Sequence, residues 1–382
     1  MPKVTEPRSY SSVGVIGAGQ LALMMGEAAE GLPLDLALLA ASSDDAAISH
    51  FRHVTFGSAQ EFDDVVAFGR ANDTTTFDHE LVNLEAVLAL EDEGRAIFPS
   101  SHALRFAVDK AYQRTVFAAD GLPTPDFVVL EHFDEALIKD FVTAHPDGVV
   151  VKSSRGGYDG RGVAVLGGGV DPRDTIANFL SAGTVVLEER VSMLAEMAVS
   201  IVTGRAGESV MYPVVDTVQR DGMCVEVNYP STLSAEVVEA AERIARAVAT
   251  RVNAVGVLAV ELFATPKGVL INEVATRPHN SGHWTIEGTS ASQFENHLRA
   301  VAGLDLINPV ATGAFVTMVN VIGTARPGDD DAARQITGAA IHNYGKSWRP
   351  GRKLGHVTVV GDNRSGVAKT AWQAAALLQP SN

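Results

Sequence analysis

Short apolar runs alternate with polar, glycine-marked breaks through the first part of the chain. Val13–Ile16 reads as a strand, and Gly17-Ala18-Gly19-Gln20-Leu21-Ala22 follows it. The stretch Leu21–Ala29 has helical character, Leu34–Ala40 predicts a second strand, Val65–Arg70 a helix and Thr74–Phe77 a strand end. Strands that alternate with helices predict a parallel α/β sheet. This Rossmann-like unit is expected to span residues 1–112.

The pattern changes after Pro123-Thr124-Pro125. Strands are predicted over Phe127–Leu130, Val149–Lys152, Val163–Leu166 and Val185–Leu187, with a helix near Phe133–Thr143. This hairpin-rich α+β stretch, residues 113–187, is small for an independent core and reads as a lid. In the remainder, residues 188–382, strands are expected over Ala198–Thr203 and Val210–Val215. A long helix is expected over Ala235–Arg251, a hairpin over Gly256–Ala275 and a helix near Ser292–Val301, with short strands after it. The fold class is therefore α/β and α+β in three parts.

The 382 residues carry 30 Lys+Arg against 46 Asp+Glu, a net charge of −16. That balance argues against a nucleic-acid binder with a broad basic face, though a few local cations suffice for a small phosphate. The single cysteine, Cys224, allows no intrachain disulfide and no thiolate metal site, and a reducing compartment is expected. The N-terminal stretch lacks an apolar signal core, and no apolar run approaches the ~18 residues of a membrane span. A cytoplasmic protein without a membrane partner is expected.

Five segments carry candidate chemistry. Gly17-x-Gly19-x-x-Ala22 opens a helix whose N-terminal N–H groups favour an anion. A dinucleotide fingerprint would need an acid at the end of the second strand, but Leu39-Ala40-Ala41-Ser42 stands there. Anion binding by Gly19, Gln20 and Leu21 is the better reading, and a plain tight turn is the alternative. Next, Gly156-Gly157-Tyr158-Asp159-Gly160-Arg161-Gly162 follows Lys152 on its strand. Four glycines with an arginine near the tip suit a phosphate cradle more than an ordinary hairpin.

The third segment is the hairpin Val255–Ala275. Taking Pro266-Lys267-Gly268 as a three-residue loop pairs Thr265 with Val269 and sets Glu261 opposite Glu273. Two carboxylates that close repel unless a cation lies between them, and Mg²⁺ would resolve the conflict. A neighbouring Lys or Arg is the other possibility. The fourth, Asn272–Trp284, concentrates donors at a strand end, where Arg277 and His279 suit a small oxyanion and Asn272 a metal or phosphate contact. The fifth, His342–Lys346 with Arg349–His356, gathers cations in turns held by Pro350, Gly351 and Gly355. A solvated basic loop is its plain alternative.

Of these, Gly19-Gln20-Leu21, Gly156–Gly162, Asn272–Trp284 and His342–Lys346 with Arg349–His356, together with Ser292–Val301, closely resemble the 5-(carboxyamino)imidazole ribonucleotide synthases of the ATP-grasp superfamily, from about residue 12 to about 370. The resemblance implies a Rossmann-like preATP-grasp domain, a lid and an ATP-grasp domain, with ATP between the last two. It implies ATP-dependent carboxylation of 5-aminoimidazole ribonucleotide with bicarbonate, through carboxyphosphate, in purine biosynthesis. A homodimer is implied too. Carried over by motif, Lys110 and Lys152 contact ATP phosphates. Gly157, Tyr158, Asp159, Gly160, Arg161 and Gly162 close over the nucleotide. Glu188, Glu189, Arg190 and Val191 line adenine, Glu196 takes the ribose, and Asn272 and Glu273 complete the site. Glu261 and Glu273 hold Mg²⁺.

For the ribonucleotide the resemblance implies Gly19, Gln20, Leu21, Glu80, Tyr158, Lys346 and Arg352. Asp159, Arg161, Arg277, His279, Asn280 and Lys346 are implied in catalysis. One departure stands out: the family's Glu-x-Glu is Asp78-His79-Glu80 here. A formate-using ATP-grasp ligase would share the Mg²⁺ carboxylates, and a nucleotide-binding regulatory module would lack turnover. Both remain alternatives at the level of sequence.

Overall fold

The computed structural model describes residues 11–156 and 162–379. Among these residues the first sheet has five strands, all parallel. Their spatial order is His53–Phe56, Leu34–Ala40, Ser11–Ile16, Thr74–Phe77, Ala96–Ile97. The two central strands are buried over most of their length, so they read as apolar or β-branched runs. Strand order reverses between them. The loops that follow, Gly17–Gly19 and Asp78–Glu80, therefore flank a crevice at the carboxyl ends of the strands, where ligands bind in such sheets. Helices Phe62–Ala71 and Leu84–Asp92 cover one face of the sheet. Helix Gln20–Ala28 covers the other, sharing its core with Phe294, Leu298 and Tyr344 from far along the chain.

The second sheet is antiparallel, in the order Phe127–Leu130, Val185–Glu189, Gly148–Ser153, Val163–Gly167. Helices Glu135–Ala144 and Arg173–Leu180 bury Ile138, Phe141 and Ile176 against one face. Its other face is free to close a cleft.

The third sheet has nine strands among the described residues. Its path runs Gly268–Ala275, Gly256–Thr265, Ala195–Thr203, Val215–Arg220, Met223–Tyr229, Phe315–Ile322, Lys353–Gly361, Ala339–Asn343, with Ser209–Met211 beside Ala195–Thr203. Helix Ala235–Val252 lays Ala241, Ala245, Val248 and Val252 on it, one stripe at helical spacing. The helix stops where Asn253 adopts a left-handed φ of 51°. Helices Ser101–Val108 and Lys110–Ala119 also put Phe106 and Phe117 into this core. The boundary expected at residues 112 and 113 thus falls inside a helix.

Three local expectations are corrected. The run Val210–Val215 is not one strand: Ser209–Met211 and Val215–Arg220 are separate, because Pro213 offers no N–H to a ladder. The hairpin turn has two residues, Pro266 and Lys267, so Thr265 faces Gly268 rather than Val269. Continued unbroken, that register would set Glu261 against Asn272. A bulge takes up Asn272 as the extra residue, and Glu261 faces Glu273 after all, for a different reason from the one expected. Finally, where only short strands were expected near the end, helix Arg364–Leu378 packs Val367, Ala371, Ala374, Ala375 and Leu378 over the last strands.

Candidate active site

A cleft of about 830 Å³ lies between the lid sheet and the third sheet. Its most buried feature is Glu188, 2% exposed, at the end of strand Val185–Glu189. Arg114 Nε donates to one carboxylate oxygen at 2.7 Å, and Lys152 Nζ pairs with the other at 2.6 Å. Burial would raise the Glu188 carboxyl, but Arg114 and Lys152 outweigh it and hold it at about 2. Burial draws Lys152 below the usual lysine range, against the pull of Glu188. Arg114 also donates from Nη2 to the carbonyl of Asn272 at 2.5 Å, so the bulged residue of the hairpin is tied to the same network. Of the segment expected to line adenine, the N–H groups of Glu189 and Arg190 bond to the carbonyls of Asp126 and Gly148, and Val191 faces the cleft.

Across the cleft stand the opposed carboxylates. Lys110 Nζ pairs with Glu273 Oε2 at 3.1 Å. Glu261 is less well matched: the Asn272 amide is 3.5 Å from it and His279 Nε2 is 3.8 Å from it. Burial and then Glu273 push the Glu261 carboxyl up, while Lys110 holds Glu273 down. Glu196 also lines the cleft, and burial lifts it to about 7.

The loop after the hairpin extends the site toward the first sheet. Arg277 Nε donates to Glu80 Oε2 at 2.6 Å, joining that loop to the crevice beyond Thr74–Phe77. Burial and then Arg277 lower His279 to about 4, so at neutral pH it is an uncharged hydrogen-bonding group rather than a cation. Gln293 fixes its backbone by accepting from His279 N at 2.9 Å and donating to His279 O at 2.7 Å. The amides of Asn280 and Asn320 bond reciprocally at 2.8 and 2.7 Å.

At the first-sheet crevice, Gly19 N and Ala22 N donate to Asp78 at 2.6 and 3.0 Å. The protein's own carboxylate thus caps part of this helix end. Lys346 Nζ donates to Gln20 Oε1, bringing the C-terminal basic segment to the glycine turn. Arg352 is turned onto its own loop, donating to Ser347 O and Oγ at 3.0 and 2.8 Å.

The expected residues Gly157, Tyr158, Asp159, Gly160 and Arg161 lie outside the described residues. Sequence reasoning missed Arg114, whose only signal was its position one helical turn after Lys110, and did not place Lys353 of the basic segment at this cleft, which it lines. It also missed Gln293 and Asn320, which hold the catalytic-loop candidates in place.

Residues 10–108 match the ribonucleotide synthetase preATP-grasp domain, 115–294 the ATP-grasp domain, and 316–370 the phosphoribosylaminoimidazole carboxylase C-terminal domain. The N5-carboxyaminoimidazole ribonucleotide synthase of Mycobacterium bovis is 40% identical over 374 residues, covering 95% of this chain and 86% of that protein. The N5-carboxyaminoimidazole ribonucleotide synthetase of Thermus thermophilus superposes with a TM-score of 0.86 at 31% identity, covering 97% of this chain and 99% of that one. The Aspergillus clavatus synthase, solved with ADP and 5-aminoimidazole ribonucleotide, gives 0.87 at 29% identity, covering 96% and 98%.

Proposed function

The chain belongs to the N5-carboxyaminoimidazole ribonucleotide synthase family, and from that premise we propose how its cleft performs the reaction. It is an ATP-dependent ligase that carboxylates 5-aminoimidazole ribonucleotide in purine biosynthesis. The observation that carries the site reading is the opposed pair Glu261 and Glu273, with Lys110 and Lys152 at the same cleft.

ATP lies between the lid sheet and the third sheet, its phosphates toward Lys110 and Lys152. Adenine meets the Glu188–Val191 segment and Glu196 takes the ribose. The residues fit Mg²⁺: two carboxylates and the Asn272 side chain offer hard oxygen donors, and the Asn272 and His279 contacts to Glu261 are long. The ion would be held by Glu261 and Glu273 and would neutralise phosphate charge.

Bicarbonate is a poor electrophile, so it is first activated. Its oxygen attacks the γ-phosphorus and ADP leaves, giving carboxyphosphate. The exocyclic amine then attacks the carbonyl carbon, phosphate leaves, and the amine proton passes to a base, for which Asp159 is the candidate. Arg277 neutralises the developing oxyanion, and His279, neutral at pH 7, contributes a hydrogen bond. Gly19, Gln20, Leu21, Glu80, Tyr158, Lys346 and Arg352 receive the ribonucleotide, and a closed lid keeps water from the intermediate. A homodimer is part of this reading. Among the described residues no helix is long and apolar enough to cross a membrane.

ADP release should require both aminoimidazole ribonucleotide and bicarbonate, and ¹³C from labelled bicarbonate should appear on the exocyclic nitrogen. Formate supporting ADP release in place of bicarbonate would assign the cleft to a different acid.

A further inference from the structure

The helix Lys110–Ala119 carries two residues of the cleft network, Lys110 and Arg114, yet its N-terminus is capped by groups that do not line the cleft. Asp109, 8% exposed, is the N-cap, and its Oδ1 accepts from Tyr112 N at 3.1 Å. The same Oδ1 accepts from Ser154 Oγ at 2.7 Å, and Oδ2 takes Arg155 Nε and Nη2 at 3.1 and 2.8 Å. Ser154 in turn accepts from the helix: its carbonyl takes Lys110 N at 2.8 Å and its hydroxyl takes Ala111 N at 3.1 Å. Ser154 N also donates to Thr184 O at 2.9 Å, just ahead of strand Val185–Glu189.

The cap is thus shared between two units. The helix belongs to the core of the third sheet, and Ser154 lies just past the end of lid strand Gly148–Ser153, two residues after Lys152. Helix caps are usually local in sequence, as Asp109 is to Tyr112; here Ser154 adds a second part from 43 residues beyond Ala111. Its consequence is geometric. Fixing Ser154 to the first residues of the helix fixes the start of the Lys110 side chain relative to that of Lys152. Those two ammonium groups repel each other, and each is anchored to a different carboxylate, Glu273 and Glu188. Without the clasp, repulsion and lid movement would both widen their separation.

We infer that Asp109 and Ser154 are positioning residues for the ATP phosphate site, setting the spacing of Lys110 and Lys152 from outside the cleft. The inference rests on the reading that those lysines contact the ATP phosphates. Charge stabilisation of a transferring phosphoryl group depends on cations already in place, so loosening the clasp weakens ATP binding and turnover while sparing the ribonucleotide.

The test compares KM values for ATP and for aminoimidazole ribonucleotide in single variants. Asp109→Ala and Ser154→Ala should each raise the ATP KM about tenfold, the effect of about 1.4 kcal/mol, with the ribonucleotide KM within about twofold of wild type. The double variant should be no worse than the worse single, because both changes open one clasp. Asp109→Asn keeps an acceptor for Tyr112 and Ser154 and should recover most of the loss. Asp120→Asn is the control: it weakens an ion pair with Arg251 at the other end of the same helix and should leave the ATP KM unchanged. If Asp109→Ala fails to fold, Ser154→Ala decides. An unchanged ATP KM in the folded variants, or an equal rise in Asp120→Asn, overturns the inference. Lys152→Met separates the two layers. If it leaves the ATP KM unmoved, the phosphate reading itself is wrong; if it raises that KM while the clasp variants do not, only the clasp is.

Discussion

Glu261 and Glu273 occupy one cross-strand pair, yet their surroundings divide their behaviour. Lys110 sits 3.1 Å from Glu273 and keeps it ionised, while Glu261, with Asn272 and His279 at 3.5 Å and 3.8 Å, is pushed up to about 8 by burial and by Glu273. In the nucleotide-free protein at neutral pH, Glu261 keeps a proton that the unfolded chain has lost. A carboxyl raised on folding stabilises fully below its ordinary pKa and loses that contribution as pH rises through the folded value. The contribution of Glu261 to stability without nucleotide should therefore fall from about pH 5 to about pH 8, opposite in sign to that of buried neutral histidines such as His279. Glu261→Gln should remove that component, read as the difference between variant and wild-type pH profiles of thermal denaturation, and hold or raise the melting temperature near pH 8. The same change should cut turnover by about 100-fold or more, the scale of losing a main electrostatic group. A variant with the wild-type pH profile and full Mg²⁺-dependent activity would remove Glu261 from the proposed metal site.

At the scale of elements, the helix Gln20–Ala28 shows how a sequence signal can be right in place and incomplete in chemistry. The glycine turn does bring N–H groups to the strand-order reversal, but Asp78 takes those of Gly19 and Ala22. Asp78→Ala should cost about 0.5–2 kcal/mol by denaturant unfolding, the range of a lost N-cap, and should raise the ribonucleotide KM. Gly19→Ala should give the same phenotype, since its Cβ would collide with Asp78 Oδ2 and displace the carboxylate. Normal stability and normal KM in both variants would leave the Asp78 contact without a role. What was legible in the sequence shares one property: Val13–Ile16 and the glycine turn both depend on near neighbours, whereas the opposition of Glu261 and Glu273 was reached from a register the structure does not have. What was not legible depends on distant ones. The hairpin register turns on a bulge at Asn272, whose carbonyl is held by Arg114, 158 residues away. Helix Arg364–Leu378 buries mostly alanines, so its apolar stripe stands out little from its polar face.

At the scale of the molecule, the ribonucleotide pocket proposed here exists only when the units dock. Lys346 reaches Gln20 across 326 residues of sequence, and Arg277 reaches Glu80 across 197. One apolar core supports the first of these contacts, since Tyr344, two residues before Lys346, is buried with Leu21, Met24, Phe294 and Leu298. A phosphate held between the Gln20 turn and Lys346 would replace the Lys346–Gln20 bond with charge-assisted ones, each worth roughly 1.5–3 kcal/mol. Lys346→Met should therefore raise the ribonucleotide KM about 10- to 150-fold while the ATP KM stays nearly fixed. Arg352 bonds to Ser347 of its own loop, so Arg352→Met should raise the ribonucleotide KM less, by the energy left after that bond is given up. Added salt should weaken wild-type ribonucleotide affinity more than that of Lys346→Met, because one screened contact is already gone. If Lys346→Met shifts the ATP KM instead, or neither constant, the Lys346–Gln20 contact is only a structural tie between the first sheet and the C-terminal strands, and the phosphate is held elsewhere.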